Sequence, residues 1–109
     1  MVYSKLYAEF FIAGFMYYDG ALVLNQLEVG DKVELVAVPD NPVDMDTVAL
    51  YREQSMLGYI PCEQNETIAM LLRFGHNDVF QARILQVDPQ AAPYKQVRVG
   101  VYVVDKTGK

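Results

Sequence analysis

Val97-Arg98-Val99-Gly100-Val101-Tyr102-Val103 sets a valine at every second position. A strict period of two over seven residues marks a strand with one face buried and the other open. Upstream of it, Asp78 to Val87 alternates in the same way, with Phe80, Ala82 and Ile84 opposed to Gln81 and Arg83, and the Pro-bounded stretch Asp88 to Tyr94 reads as the loop between the two. Lys5 to Gly14 places Leu6, Ala8, Phe10 and Ile12 on one face and Tyr7, Glu9 and Phe11 on the other. Lys32 to Val38 alternates Val33, Leu35 and Ala37 with Lys32 and Glu34, then stops at Pro39. Thr47 to Arg52 and Met56 to Ile60 are two more short strands, and the tight Glu53-Gln54-Ser55 connection makes them a hairpin. One helix is expected over Pro61 to Phe74, with Ile68, Leu71 and Leu72 on a common face, Glu63 and Glu66 in the early turns and Gly75 as its stop. Ala21 to Leu27 fits one or two helical turns only loosely. The whole reads as a mostly β chain, a small antiparallel β-barrel of five to six strands with one α-helix, in which closure protects the edges.

The 109 residues, 52% hydrophobic and 21% charged, are of ordinary globular composition and form one domain over 1–109, with an expected radius of gyration of roughly 13 Å. No stretch approaches the ~20 apolar residues of a membrane span, and the first dozen residues carry Lys5 and Glu9 without a small-residue cleavage pattern, so a soluble, cytoplasmic protein with no membrane partner is expected. The formal charge of −5 is unevenly spread. Residues 1–72 hold three basic side chains against eleven acids, whereas residues 73–109 hold six against three. An acidic first two thirds argues against a general, salt-driven nucleic-acid surface, so any such activity rests on local chemistry.

Enzyme chemistry finds little purchase. Cys62 is the single cysteine and His76 the single histidine, so no internal disulfide and no zinc cluster can form. Cys62, beside Pro61 at a helix start, reads as a packing residue rather than a nucleophile, and His76, just past Gly75, as a helix cap. Asp40, Asp44 and Asp46 share one turn but lack the central glycine and distal glutamate of a calcium loop, so they read as a turn held by Asx hydrogen bonds. No catalytic residue, metal or cofactor is expected. What remains is Gly14-Phe15-Met16-Tyr17-Tyr18-Asp19-Gly20, followed by Pro39-Asp40-Asn41-Pro42-Val43-Asp44. Two tyrosines at a strand end can offer a ring for a base or sugar to stack on, and Asp44, in a rigid turn, can accept a hydrogen bond from a hydroxyl. The same residues also fit a tyrosine in the core, a second over a barrel mouth and prolines that merely shape a turn.

Phe11-Ile12-Ala13-Gly14-Phe15-Met16-Tyr17-Tyr18-Asp19-Gly20, Val29-Gly30-Asp31, Pro39-Asp40-Asn41-Pro42 with Asp44, Ala49, and Leu57-Gly58-Tyr59-Ile60-Pro61 succeed one another in an order that resembles the HIRAN domain over about residues 8–85. That family occurs at the N-terminus of Swi/Snf-type ATPases that remodel stalled replication forks, in DNA repair, and as stand-alone bacterial and phage proteins. The resemblance implies an OB-like or SH3-like small barrel and, in the eukaryotic members, a pocket for the 3′ end of single-stranded DNA. By that resemblance Tyr17 stacks on the terminal base, Tyr18 forms the pocket wall, Asp44 receives the 3′-hydroxyl and Asn41 is a polar pocket residue. The chain also departs from the pattern. Met16 stands where the end binders have an arginine for phosphate, Val43 where a second stacking aromatic is found, and Tyr59 in place of a histidine near the backbone path. Phosphate contacts would then fall to Arg73, Arg83 and Arg98, with Arg83 alternating outward on its strand. The expected partner is single-stranded DNA, a DNA 3′ end or an unusual or damaged DNA structure, taken through Tyr17, Tyr18, Asn41 and Asp44. The competing expectation is a protein-interaction or adaptor domain that keeps the barrel without the DNA chemistry.

Overall fold

A computed structural model describes residues 4–105. Its strands are β1 (Ser4–Phe11), β2 (Lys32–Ala37), β3 (Val48–Arg52), β4 (Ser55–Tyr59), β5 (Phe80–Val87) and β6 (Val97–Val104), and its α-helices are α1 (Gly20–Val23) and α2 (Glu66–Arg73). The six strands form one antiparallel sheet in the order β1-β6-β5-β2-β3-β4. The radius of gyration is 13.6 Å, as the chain length implies.

The valines of β6 explain its central place. Val97, Val99 and Val101 are fully buried and meet Ile84, Ala82 and Phe10 of the flanking strands in a core that also takes Ile12, Phe15, Val33, Leu50 and Leu57. Helix α2 covers this face with Ile68 and Ala69, and its last turn is closed by the N–H groups of Gly75 and His76, which donate to the carbonyls of Leu72 at 3.1 Å and Leu71 at 2.9 Å. The cap at His76 is therefore its backbone.

Three expectations are adjusted, and the helical turns expected over Ala21 to Leu27 are present. The sheet does not close into a barrel: β1 and β4 are both edges, joined at one end by a lone bridge between Ala13 and Tyr59. Each residue donates its N–H to the other's carbonyl at 2.9 Å. The alternation of β1 breaks at a register shift between Leu6 and Ala8, which leaves both Leu6, opposite Tyr102, and Tyr7, whose ring touches that of Phe80, exposed. The helix expected over Pro61 to Phe74 begins only at Glu66, after a 3-10 turn at Cys62–Gln64, because the chain dips at Asn65 to bury that side chain. Ala21 to Leu27 resolves into α1 followed by a 3-10 turn at Leu24–Gln26.

Gly58 makes the bridge possible. Its φ of 144° suits glycine, and a Cβ there would collide with the Ala13 carbonyl oxygen and lie 2.6 Å from Ile12 Cγ2. Gly58→Ala combines backbone strain with overpacking at a buried crossing, so it is expected to cost about 2–4 kcal/mol, read as a lower urea midpoint with an unchanged slope.

Candidate nucleic-acid interface

The aromatic turn after β1 is fastened to β4 at three points. Ala13 bridges Tyr59, the Asp19 N–H donates to the Met56 carbonyl at 2.9 Å, and the Met56 N–H donates to Asp19 Oδ2 at 3.2 Å. The Phe15 ring anchors the turn from beneath, lying so close over Gly20 that a Cβ there would overlap it. Tyr18 then meets Tyr59 edge-on, with ring centroids 5.4 Å apart, and its hydroxyl donates to that of Tyr59 at 3.1 Å. Beside the Tyr18 hydroxyl the Tyr59 phenol is pushed above its ordinary range, so Tyr59 stays neutral at physiological pH. Tyr17, with no such tie on its ring, stands 76% exposed, next to exposed Met16.

The second half of the site is the β2–β3 turn. Asn41 Oδ1 accepts the N–H groups of Val43 at 2.9 Å and Asp44 at 3.2 Å, and the Thr47 hydroxyl donates to the Asp44 carbonyl at 2.6 Å. This is the Asx-held turn that the Pro-Asp-Asn-Pro sequence implies. It fixes the Asp44 carboxylate, whose Oδ1 accepts the Asp46 N–H at 2.9 Å and whose Oδ2 accepts Asn65 Nδ2 at 2.9 Å. The Asn65 amide, first, and the Asp46 N–H, second, hold Asp44 below the usual carboxylate range. Both donors are neutral, so the negative charge is stabilised without being cancelled, and each oxygen keeps a lone pair for a further donor.

Asp44 and Asn65 line a hollow of about 260 Å³ with Ala13, Thr47, Tyr59, Ile60 and Cys62. It joins an apolar wall to one hydroxyl acceptor, a combination suited to a sugar. The structure thus brings Asp44 and Tyr59 together, with Tyr18 attached through Tyr59. Asn41 shapes the turn with its side-chain oxygen, and Val43 stands 92% exposed on the same turn. Arg83 lies elsewhere, lining a hollow with Ser4, Gln81, Tyr102 and Val104. Arg98 pairs with Glu9 at 2.8 Å, while Arg73 reaches Asp46 at 3.7 Å and so is the basic side chain of the three beside the Asp44 turn. The exposed Cys62 thiol donates to Glu63 at 3.2 Å, and that carboxylate pushes its pKa up, away from nucleophilic use. Among the described residues no group of His, Cys, Asp and Glu is placed to hold a metal ion, and no helix is long and apolar enough to cross a membrane.

Three contributions were hidden in the sequence. Asn65 falls there inside the helix expected over Pro61 to Phe74, yet it is 3% exposed and its side chain caps nothing, serving Asp44 instead. Asp19, in the motif by position, is a staple between turn and strand. The 3-10 turn Pro93–Lys95 packs against Phe15–Tyr17, which brings exposed Tyr94, with Lys95 Nζ 5.8 Å from its ring centre, to the aromatic turn. Only the last has a local cue, an aromatic and a cation behind Pro93.

The Asp44–Asn65 bond has a measurable signature. In Asn65→Ala the Asp44 titration midpoint is expected to move up towards the ordinary carboxylate range, read by NMR at its carboxyl carbon. A depressed folded-state pKa contributes stability above the ordinary value and loses it as pH falls through the depressed one. The stability gap between wild type and Asn65→Ala should therefore narrow as pH falls through the wild-type midpoint, while an unmoved midpoint would refute the assignment.

Solved structures share this architecture. A crystal structure of a protein from Lactobacillus plantarum superposes with a TM-score of 0.78 at 20% identity, covering 96% of this chain and 99% of that one. The crystal structure of the HIRAN domain of human HLTF superposes with a TM-score of 0.67 at 15% identity, covering 95% of this chain and 81% of that one. At such identities the likeness is one of fold. No curated protein matches the sequence. The family model of the HIRAN domain matches residues 5–106, from the first strand through the last, and the chain belongs to the HIRAN domain family.

Proposed function

We propose that this chain is a non-enzymatic DNA-binding module that takes the 3′ end of a single strand, with the terminal sugar in the Asp44 hollow and the terminal base against Tyr17. One observation carries the reading: a carboxylate fixed by two neutral donors, with lone pairs to spare, in a small apolar hollow beside exposed aromatic rings. A terminal hydroxyl gives Asp44 a donor. A terminal phosphate meets an uncancelled negative charge and is repelled, because Arg73 is engaged with Asp46 rather than Asp44.

Tyr94 and Lys95 supply what Met16 and Val43 lack. Met16 offers no cation and Val43 no ring, but the Pro93–Lys95 turn sets an aromatic and a lysine beside the Tyr17 turn. Stacking tolerates any base, so the module recognises an end rather than a sequence. Fork- and repair-related work follows from the family resemblance, as does a place among bacterial stand-alone members. A second reading, a protein-interaction adaptor, draws on the exposed apolar side chains of Met16, Leu22 and Val43.

Fluorescence anisotropy with a short labelled single strand separates the two. Tighter binding of a 3′-hydroxyl than of a 3′-phosphate is expected, with the preference abolished in Asp44→Ala. Tyr17→Ala and Tyr94→Ala should each weaken binding by about 1–3 kcal/mol, roughly 5- to 150-fold, without changing the preference. Equal affinity for the two ends would refute end recognition, and absence of binding at low salt would favour the adaptor.

A further inference from the structure

The basic side chains of the C-terminal third do not gather at the Asp44 hollow. Arg83 on β5 is instead the direct cross-strand partner of Lys32 on β2. The next pair in that ladder, Val33 and Ala82, is buried, so Lys32 and Arg83 share the outer face, and both are exposed. Neither forms an ion pair among the described residues: the three pairs there are Arg52 with Asp31, Arg73 with Asp46 and Arg98 with Glu9. Like charges directly opposite destabilise an antiparallel pair. Two unpaired cations side by side, on a chain of net charge −5, are therefore a local excess that folding alone does not explain.

The surroundings are shaped to receive something. Opposite Arg83 on β6 stands Gly100, over which the Leu85 side chain lies, and beside them a hollow of about 650 Å³ opens between Ser4, Gln81, Arg83, Tyr102 and Val104. The Arg83 guanidinium is steadied by Gln81, to whose carbonyl oxygen it donates at 3.1 Å. Of the acids nearby, Glu9 is held by Arg98, whereas Glu34, two residues along β2 on the same face, and Asp78 share a hollow with Lys32 and leave Arg83 as the more open of the two cations. Strand partners lie about 5 Å apart at Cα, so the two long side chains can reach successive phosphates of one strand.

We infer that Lys32 and Arg83, adjacent on the outer face of β2 and β5, form a second DNA contact that holds the sugar–phosphate backbone away from the Asp44 hollow. The inference rests on the DNA reading above, but it concerns a different face and a different force. Backbone contact of this kind is indifferent to the chemistry of the end and strongly dependent on salt.

Anisotropy titrations over a salt series test it with the full chain and an oligonucleotide carrying either a 3′-hydroxyl or a 3′-phosphate. In Lys32→Gln/Arg83→Gln the slope of log affinity against log salt is expected to become shallower by roughly 1.4, about 0.7 for each phosphate contact on a single strand, with the hydroxyl-to-phosphate preference unchanged. Each single variant should give about half that change, which keeps the test decisive if the double variant folds poorly. Lys5→Gln, which removes one charge from β1 as each single variant does from its strand, should leave the slope as in wild type. An unchanged slope in the double variant, or an equal drop in Lys5→Gln, would overturn the inference. Failure of the end-recognition reading shows itself separately, as a wild-type chain that binds with the expected salt slope yet does not distinguish the two ends.

Discussion

The pair of hydrogen bonds between Ala13 and Tyr59 organises this molecule. It is the first tie of the chain after β1 to β4, the other edge of the sheet, since β1 itself pairs only with β6. With it, the chain leaves β1, crosses to β4, and must turn there. That turn is the Tyr17-Tyr18 segment, and the floor beneath it is Tyr59. The bridge thus brings together two stretches more than forty residues apart in sequence, and Gly58 is the residue that lets the backbones approach closely enough to form it. The Asp44 hollow is the space left beside this crossing, which is why Ala13 and Tyr59 line it.

The electrostatic design of the hollow depends on neutral donors. A carboxylate paired with arginine or lysine would accept an anion nearby at little cost, because its own charge would already be offset. Asp44 is held by an amide and a backbone N–H, which orient it and favour its ionised form while leaving its field intact. The positive charge of the chain sits elsewhere: at Arg73 beside Asp46, at Lys95 beside Tyr94, and at Lys32 and Arg83 on the outer face. The one fixed carboxylate and the basic side chains thus stand on different parts of the surface, so a change at one leaves the field at the other largely intact.

Much of the fold was legible because the strands alternate cleanly. The six strands, the hairpin at Glu53-Gln54 and the helix carrying Ile68 emerge from periodicity and turn residues. The failures are equally physical. A one-residue shift in β1 leaves Leu6 exposed with Tyr7 rather than in the core, and nothing in their local pattern marks where pairing with β6 slips. Closure of the sheet is a property of how its edges meet, which no strand announces by itself. The helix start was misplaced because Pro61 and Glu63 satisfy the usual rules for an N-terminus, whereas burial of Asn65 against Asp44 is a tertiary event. In the site, Tyr17, Tyr18 and Asp44 were marked by motif, but the partners Asn65, Tyr94 and Lys95 reach it only through the folded chain.

The position of β6 has a consequence for how the chain comes to be folded. It is the last strand in sequence, yet it lies between β1 and β5 and supplies three of the most buried side chains, Val97, Val99 and Val101. Until residues 97–104 leave the ribosome, β1 has no neighbour, β5 lacks one of its two, and the apolar face of each is open to water. A nascent chain can assemble the β2–β3–β4 unit early, but the domain is completed only by a contact that spans almost its whole length, Ser4 against Val104. Long-range closure of this kind makes folding slow for the size of the domain, and leaves the half-made sheet most exposed to aggregation in the interval before residues 97–104 are available to pair.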